Sequence, residues 1–398
     1  GSFLVSMNDT QRMYYIDETG KIIDQSKILK ISTADELKAF RDDVNSGNTY
    51  EGWYVYLTND ITLDLNQEWE PIGLYPMENS SPTDETNKPF SGVFDGKNHE
   101  VNGLYINTSD KVQGLFGLVI GGKIKNVGIG ENNNITGGIS TGAVAGYLYN
   151  GSKGLNCHNK SNVKGGTYSA GVFGQLAINC NVENCYNTGN VIANNNLEVT
   201  KGIGGIAGIC NWSSNIKTSY NSGKIGDDKS VNKLAGISGV LSDNSFLEEC
   251  YNSGDINGGY TIGGIVGEAS RSGIIKNCYN VGNVEGNNNI GGIAGEQNRG
   301  EIYNCYNIGL ITGVDKVGGI VGSNNVYNLT NIIIRNTYSL EGVCDNIYGY
   351  NGNGSIIEQS SIKTSEELKL LASALGSAFE EDGNNINNGF PILKWQSK

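Results

Sequence analysis

Glu268 and Glu296 each follow the last glycine of a repeated segment, in consecutive copies. If each copy forms one layer of a stack, the two carboxylates lie about 5 Å apart. That separation suits the carboxyl pair of a retaining glycosidase. Arg271 and Arg299 come three residues later in the same two copies. An alternating Glu/Arg ladder explains the carboxylates as charge pairs without catalysis, and this is the preferred reading. The same turn carries Tyr147 and Tyr149 in one copy and Trp212 in another, which favours it as a ligand-facing edge.

A second set of candidates repeats in register. Cys157, Cys185, Cys250, Cys278 and Cys305 share one column with Val127, Ser219 and Thr337. A position that accepts all four residue types selects for small size, so a buried thiol ladder is expected. Neighbouring cysteines would be close enough for a disulfide, but their Cβ atoms would point the same way. A single line also offers no tetrahedral metal set. Cys180, Cys210 and Cys344 fall off the column and are not assigned. Asn126, Asn156, Asn184, Asn277, Asn304 and Asn336 precede the small column and read as an internal asparagine ladder at an αL bend. Tyr186, Tyr220, Tyr251, Tyr279, Tyr306 and Tyr338 follow it. If cysteine points inward, the tyrosines form an outward stripe. Tyr251, Tyr279 and Tyr306 then become candidates for a sugar- or protein-binding face, against the plainer reading of a stack that stabilises a corner.

These columns need a scaffold of equal layers. The segment Gly-Gly-Ile-Val-Gly and its variants end at Gly117, Gly146, Gly174, Gly208, Gly239, Gly267, Gly295 and Gly322, a spacing of roughly 28 residues. Short apolar runs separated by Gly and Asn read as short strands joined by tight turns. Propeller blades need longer units, a leucine ladder is missing, and no helical period appears inside the copies. An all-β, right-handed parallel β-helix remains. The chain has 58 Gly but only 5 Pro among 398 residues, and the glycines sit at fixed positions, which indicates ordered turns. A net charge of −13 argues against nucleic acid and anionic membrane as partners. No apolar run is long enough to span a bilayer, so no membrane insertion is expected within the chain. Gly1-Ser2 looks like a cloning scar.

Gly114-Leu115-Phe116-Gly117 followed by Gly122-Lys123-Ile124-Lys125-Asn126-Val127 resembles the GLUG motif of bacterial surface proteins. The lead-in Trp69-Glu70-Pro71-Ile72-Gly73, then Phe90-Ser91-Gly92-Val93-Phe94-Asp95-Gly96, is similar to those proteins too. The resemblance covers the chain from about residue 31 to its end. It implies a β-helical module at the bacterial cell surface or outside the cell, as in adhesin-like proteins of gut bacteria and the non-catalytic repeat region of M26-type IgA1 peptidases. The metallopeptidase part of those enzymes needs His-Glu-x-x-His, and the only histidines here, His99 and His158, stand in no such context.

Three segments are expected. Residues 1–30 carry no repeat and read as a short hairpin or the stub of an anchor. Residues 31–360 hold the β-helix, with GLUG-type repeats over about 103–345. Residues 361–398 form a helix and a tail that close the solenoid. Thr33-Ala34-Asp35-Glu36 is a capping box before a helix over about 33–46, and Thr364-Ser365-Glu366-Glu367 repeats the signal. No cofactor is expected: calcium is the natural candidate, yet Asp227-Asp228 and Glu380-Glu381-Asp382 fit no calcium-loop spacing. The expected role is non-enzymatic adhesion to a host glycan or extracellular protein. A stalk that displays another module and a carbohydrate-active enzyme on a β-helix stand as alternatives.

Overall fold

The αL positions decide the shape of every coil. Asn126, Asn156, Asn184, Thr218, Glu249, Asn277, Asn304 and Asn336 all have φ between 44 and 56°. Asparagine tolerates that region better than other L-residues, and six of the eight are Asn. Five of these bends separate two short strands, such as Asn215–Lys217 and Tyr220–Asn221, while Asn126, Asn304 and Asn336 lie within longer strands; after each bend the next side chain is buried. The computed structural model describes residues 22 and 24–398 apart from 76–80, 195–200, 228–230, 325–331 and 353–354, together with the backbone of Ser2–Met7 and Thr10–Tyr15. The fold is a parallel β-solenoid of about 11 turns.

Each turn contributes to several parallel sheets. One runs from Ile28–Ile31 to Ser355–Glu358 and Ser361–Lys363. A nine-stranded sheet runs from Phe116–Ile120 to Tyr348–Asn351, and a six-stranded one from Ser169–Ala170 to Asp315–Gly318. The last two meet at a corner too tight for a Cβ. One added to Gly267 would lie 2.8 Å from the carbonyl carbon of Lys233, and one added to Gly295 2.6 Å from that of Thr261. The final repeat glycine is therefore a close-approach residue.

The small column points inward as expected: all five cysteines are buried and free. Cys180 and Cys210 are buried as well, and Cys344 is half-buried. Burial pushes the Cys180 thiol up to about 11 and raises Cys185, Cys250 and Cys278 well above their ordinary value, so these thiols are inert. The internal amide ladder, however, is a different column. Asn159, Asn187, Asn221, Asn252, Asn280 and Asn307 are fully buried. Each Nδ2 in the run up to Asn280 donates to the Oδ1 of the next at 2.8 Å. The earlier column at the αL bend lies toward solvent, although Asn156 donates to Asn126 and Asn336 to Asn304. The bend turns its own side chain outward, while the second Asn of Asn-Cys-Tyr-Asn faces in.

Helix α1 (Ala34–Ser46) closes the N-terminal end. Thr33 and Glu36 form the capping box, and Leu37, Phe40 and Val44 join the main core. Phe40 meets Tyr50 and Phe90 edge-on at 4.9 and 5.8 Å. Burial of three such side chains stabilises the end by roughly 1.5–3 kcal/mol each. Ile28–Ile31 already pairs with Tyr54–Leu57, so the solenoid starts before residue 31. Ser2–Met7 and Thr10–Tyr15 form an antiparallel hairpin, while Ile16 and Lys21 lie outside the described residues.

The C-terminal end departs from expectation. Two short helices, α2 (Ser365–Lys369) and α3 (Ala372–Leu375), replace one, and α2 keeps the capping box. Leu368 and Leu375 pack with Tyr306 and Tyr338 on the flank, apart from the main core. The end strands leave Tyr350 and Ile356 exposed. The helices do not close this end because the chain leaves the last coil on its tyrosine side and runs back along it.

Candidate functional site

The outward side chains of the nine-stranded sheet form one column: Leu118, Tyr147, Gln175, Ile209, Val240, Glu268, Glu296, Ser323 and Tyr350. Tyr147 and the two glutamates thus share a single line, aromatic at one end and acidic toward the other. At the aromatic end Tyr147 meets Tyr149 at 5.7 Å and Tyr75 at 6.3 Å, over Val112, Leu118 and Ala177. Tyr147 itself is only 7% exposed, so Tyr149 and Tyr75 present the edge of this cluster. Trp212 stands on the neighbouring turn, 49% exposed at φ 49°. Next to it in that turn are Asp243 and Arg271, paired at 3.4 Å.

Glu268 and Glu296 are direct register partners, as their spacing predicts. The Glu/Arg ladder does not form at Glu268. Its carboxylate pairs with Lys233 at 2.6 Å, whereas Arg271 reaches Asp243 of the preceding coil. The arginine sits past the strand end on an αL turn, and the glutamate faces the six-stranded sheet, where Lys233, Thr261, Asn289 and Lys316 form a facing αL column. Asn289 Nδ2 lies 3.3 Å from Glu296 Oε2. Burial and the neighbouring Glu268 carboxylate push the Glu296 carboxyl above its ordinary value. Glu268 is paired with Lys233 and Glu296 is hydrogen-bonded by Asn289, so both carboxyl groups are already committed to side chains across the corner. Lys233 gives no sequence signal because its partner lies 35 residues away on another sheet. Among the described residues, no group of three or more His, Cys, Asp and Glu side chains could hold a metal ion. Nor is any helix there long and apolar enough to cross a membrane.

The tyrosine column is a continuous ring stack. From Tyr186 through Tyr220, Tyr251 and Tyr279 to Tyr306, centroids are 5.0–5.1 Å apart and planes within 8° of parallel. His158 extends the stack at 4.7 Å, and its Nε2 donates to the Glu100 carboxylate at 2.9 Å. The C-terminal tail covers the other half. Trp395 lies against Tyr220 and Tyr251 and donates to the Glu249 carbonyl at 3.0 Å. The Tyr279 hydroxyl donates to Gln396, and that of Tyr306 to the Pro391 carbonyl. Tyr279 and Tyr306 are consequently buried and Tyr251 half-buried. The stripe points away from the core, but the chain's own tail occupies the face that Tyr251, Tyr279 and Tyr306 were expected to offer. The tail also spans four coils of the flank rather than packing on the last one.

Residues 258–285 match the GLUG motif. That stretch is one full coil, containing the corner glycine Gly267, the thiol Cys278, the ring Tyr279 and the ladder amide Asn280. No curated protein matches the sequence. Among solved structures, a Bacteroides ovatus chain provisionally named an immunoglobulin A1 protease is 23% identical with a TM-score of 0.49, and the match covers 94% of each chain. A chain named IgA1 protease is 12% identical with a TM-score of 0.44, and the match covers 90% of this chain and 23% of that one. Within that coil Gly267 closes the corner, and Cys278 and Asn280 enter the core. Glu268 and Tyr279 are the outward strand residues among those named above, and Tyr279 is covered by the tail.

Proposed function

We propose that this chain is a non-enzymatic, extracellular binding module of a bacterial surface protein, which adheres to a host glycan or protein through the face that carries Tyr75, Tyr149 and Trp212. The observation that carries this reading is the contrast within each coil. Corner, amide and tyrosine columns keep their residue type over many coils and the thiol column keeps to small residues, whereas the outer column of the nine-stranded sheet changes at nearly every rung. Leu118, Tyr147, Ile209, Val240 and Ser323 of that column are buried, so the part of it that reaches solvent is Gln175, Glu268, Glu296 and Tyr350. The Tyr75–Tyr147–Tyr149 cluster and the exposed Trp212, with the Asp243–Arg271 pair beside it, give that face aromatic and polar groups of the kind that bind sugars and proteins. Glu268 and Glu296 act here as partners of Lys233 and Asn289.

The test is binding of the labelled chain to immobilised host glycans, mucins and matrix proteins, with each spot then assayed for loss of ligand. Saturable binding with ligand intact supports the proposal. Ligand loss would overturn it in favour of a polysaccharide-cleaving enzyme, and absence of binding would favour a stalk that holds another module away from the cell.

A further inference from the structure

The two ends of the solenoid are finished differently. At the N-terminal end α1 lays Leu37, Phe40 and Val44 into the core, and none of the three is more than 2% exposed. At the other end the core runs out toward solvent. Val321 and Ile334 are fully buried, whereas their register partners on the last coil, Tyr348 and Ile357, are only partly so. Cys344 and Ile347 are likewise partly buried against the core. Tyr350 and Ile356 of the same coil are 47% and 40% exposed. The backbone is unfinished too. Tyr348–Asn351 is the end strand of the nine-stranded sheet, and Ser355–Glu358 and Ser361–Lys363 pair only with Ile332–Leu340 among the described residues. A row of unpaired N–H and C=O groups is a template for another strand, and sheets that stay solitary blunt it with lysine, proline or a covering element. Residues 343–363 contain no proline and a single lysine, Lys363, at their margin.

We infer that this open end is a dimer interface, covered by the same end of a second copy across a two-fold axis. The partner must offer several edge strands in the same outline, which another coil of this chain does. The opposite end of a second copy is plugged by α1, so head-to-tail stacking is blocked. The contact is therefore isologous and closes at two copies. Edges that meet across the axis run antiparallel, a pairing slightly more stable per residue than the parallel ladders within the solenoid. Charge does not oppose it. The chain carries −13, but residues 343–363 hold two acids, Asp345 and Glu358, against Lys363. One coil is also about the 20–30 residues a side that a standard interface uses. The inference goes beyond the binding role and does not depend on it.

The test is sedimentation equilibrium of the intact chain up to about 100 μM, which covers the micromolar and tighter affinities of standard interfaces, with hydrogen exchange on the same samples. The expected result is a monomer–dimer equilibrium, with exchange slowing in Tyr348–Asn351 and Ser355–Glu358 as concentration rises. The double variant Tyr350→Lys/Ile356→Lys puts two charges on the edge at exposed positions and should weaken the dimer about ten-fold or more. Its melting curve below the dimerisation range should match the wild type. Leu370→Lys, 75% exposed beside α2, should dimerise like the wild type. A chain that stays monomeric overturns the inference, as does growth past two copies. A dimer that the double variant retains in full, or whose slowed amides lie away from the edge strands, overturns it as well. Should the double variant fail to fold, the wild-type mass and exchange pattern decide.

Discussion

The tyrosine stripe and the outer column of the nine-stranded sheet are both outward lines of side chains on the same solenoid, yet they are built in opposite ways. The stripe keeps one residue type over six rungs and is then covered by the tail. The outer column runs from leucine through tyrosine, glutamine and isoleucine to glutamate and serine. Repetition in a solenoid lets each side chain satisfy the next, ring on ring or amide on amide, so constant columns hold the coils together. Variation gives up that reciprocity, and along the outer column only Gln175, Glu268, Glu296 and Tyr350 reach solvent. The residues most conspicuous in the sequence are thus the ones that hold the solenoid together.

The largest effect should come from a constant column. Asn252→Ala removes hydrogen bonds to Asn280 Oδ1 and the Gly254 carbonyl, both 2.8 Å, and leaves Asn221 without its acceptor on the next rung. Urea unfolding should show a loss of about 3 kcal/mol. A neutral result would mean that the ladder is incidental. Trp395→Ala tests the tail: it removes a ring packed on Tyr220 and Tyr251 together with the bond to Glu249. A loss of about 1–3 kcal/mol is expected, with greater access of Tyr251 to a collisional quencher. Unchanged stability and quenching would show that the tail does not clamp the stripe.

Trp212→Ala should behave in the reverse sense. Its side chain is half exposed on a turn, so stability should change by less than about 0.5 kcal/mol while binding falls. A strongly destabilised variant would place Trp212 among the structural residues. The smallest effect concerns Glu296. Its carboxyl is raised in the folded state, so the native chain favours the protonated form: the contribution is fully favourable below the unfolded-state value and is lost as pH rises through the folded one. Glu296→Gln should therefore raise the melting temperature slightly at pH 7 and leave it unchanged near pH 3. A gain at pH 3 and none at pH 7 would reverse the assignment.

Much of this arrangement is legible in the sequence because a solenoid converts sequence period into spatial column. The pairing of Glu268 with Glu296, the inward cysteines and the capping box at Thr33 all follow from spacing within or between copies. What spacing does not contain is contact between different columns. Lys233 answers Glu268 across a corner, and nothing in either residue's own repeat announces it. The two asparagines of Asn-Cys-Tyr-Asn look alike in sequence; only the αL bend at the first decides that the second faces in. The tail is not a repeat at all, so its path over Tyr279 and Tyr306 has no periodic signal.

The measurement that tests the central claim most directly is array binding of the wild type and Trp212→Ala side by side, with ligand integrity read on every spot and melting curves for both. The account predicts saturable binding with ligand intact, and a weaker Trp212→Ala that melts with the wild type. Loss of ligand from the spots, or wild-type binding that Trp212→Ala retains in full, would contradict it.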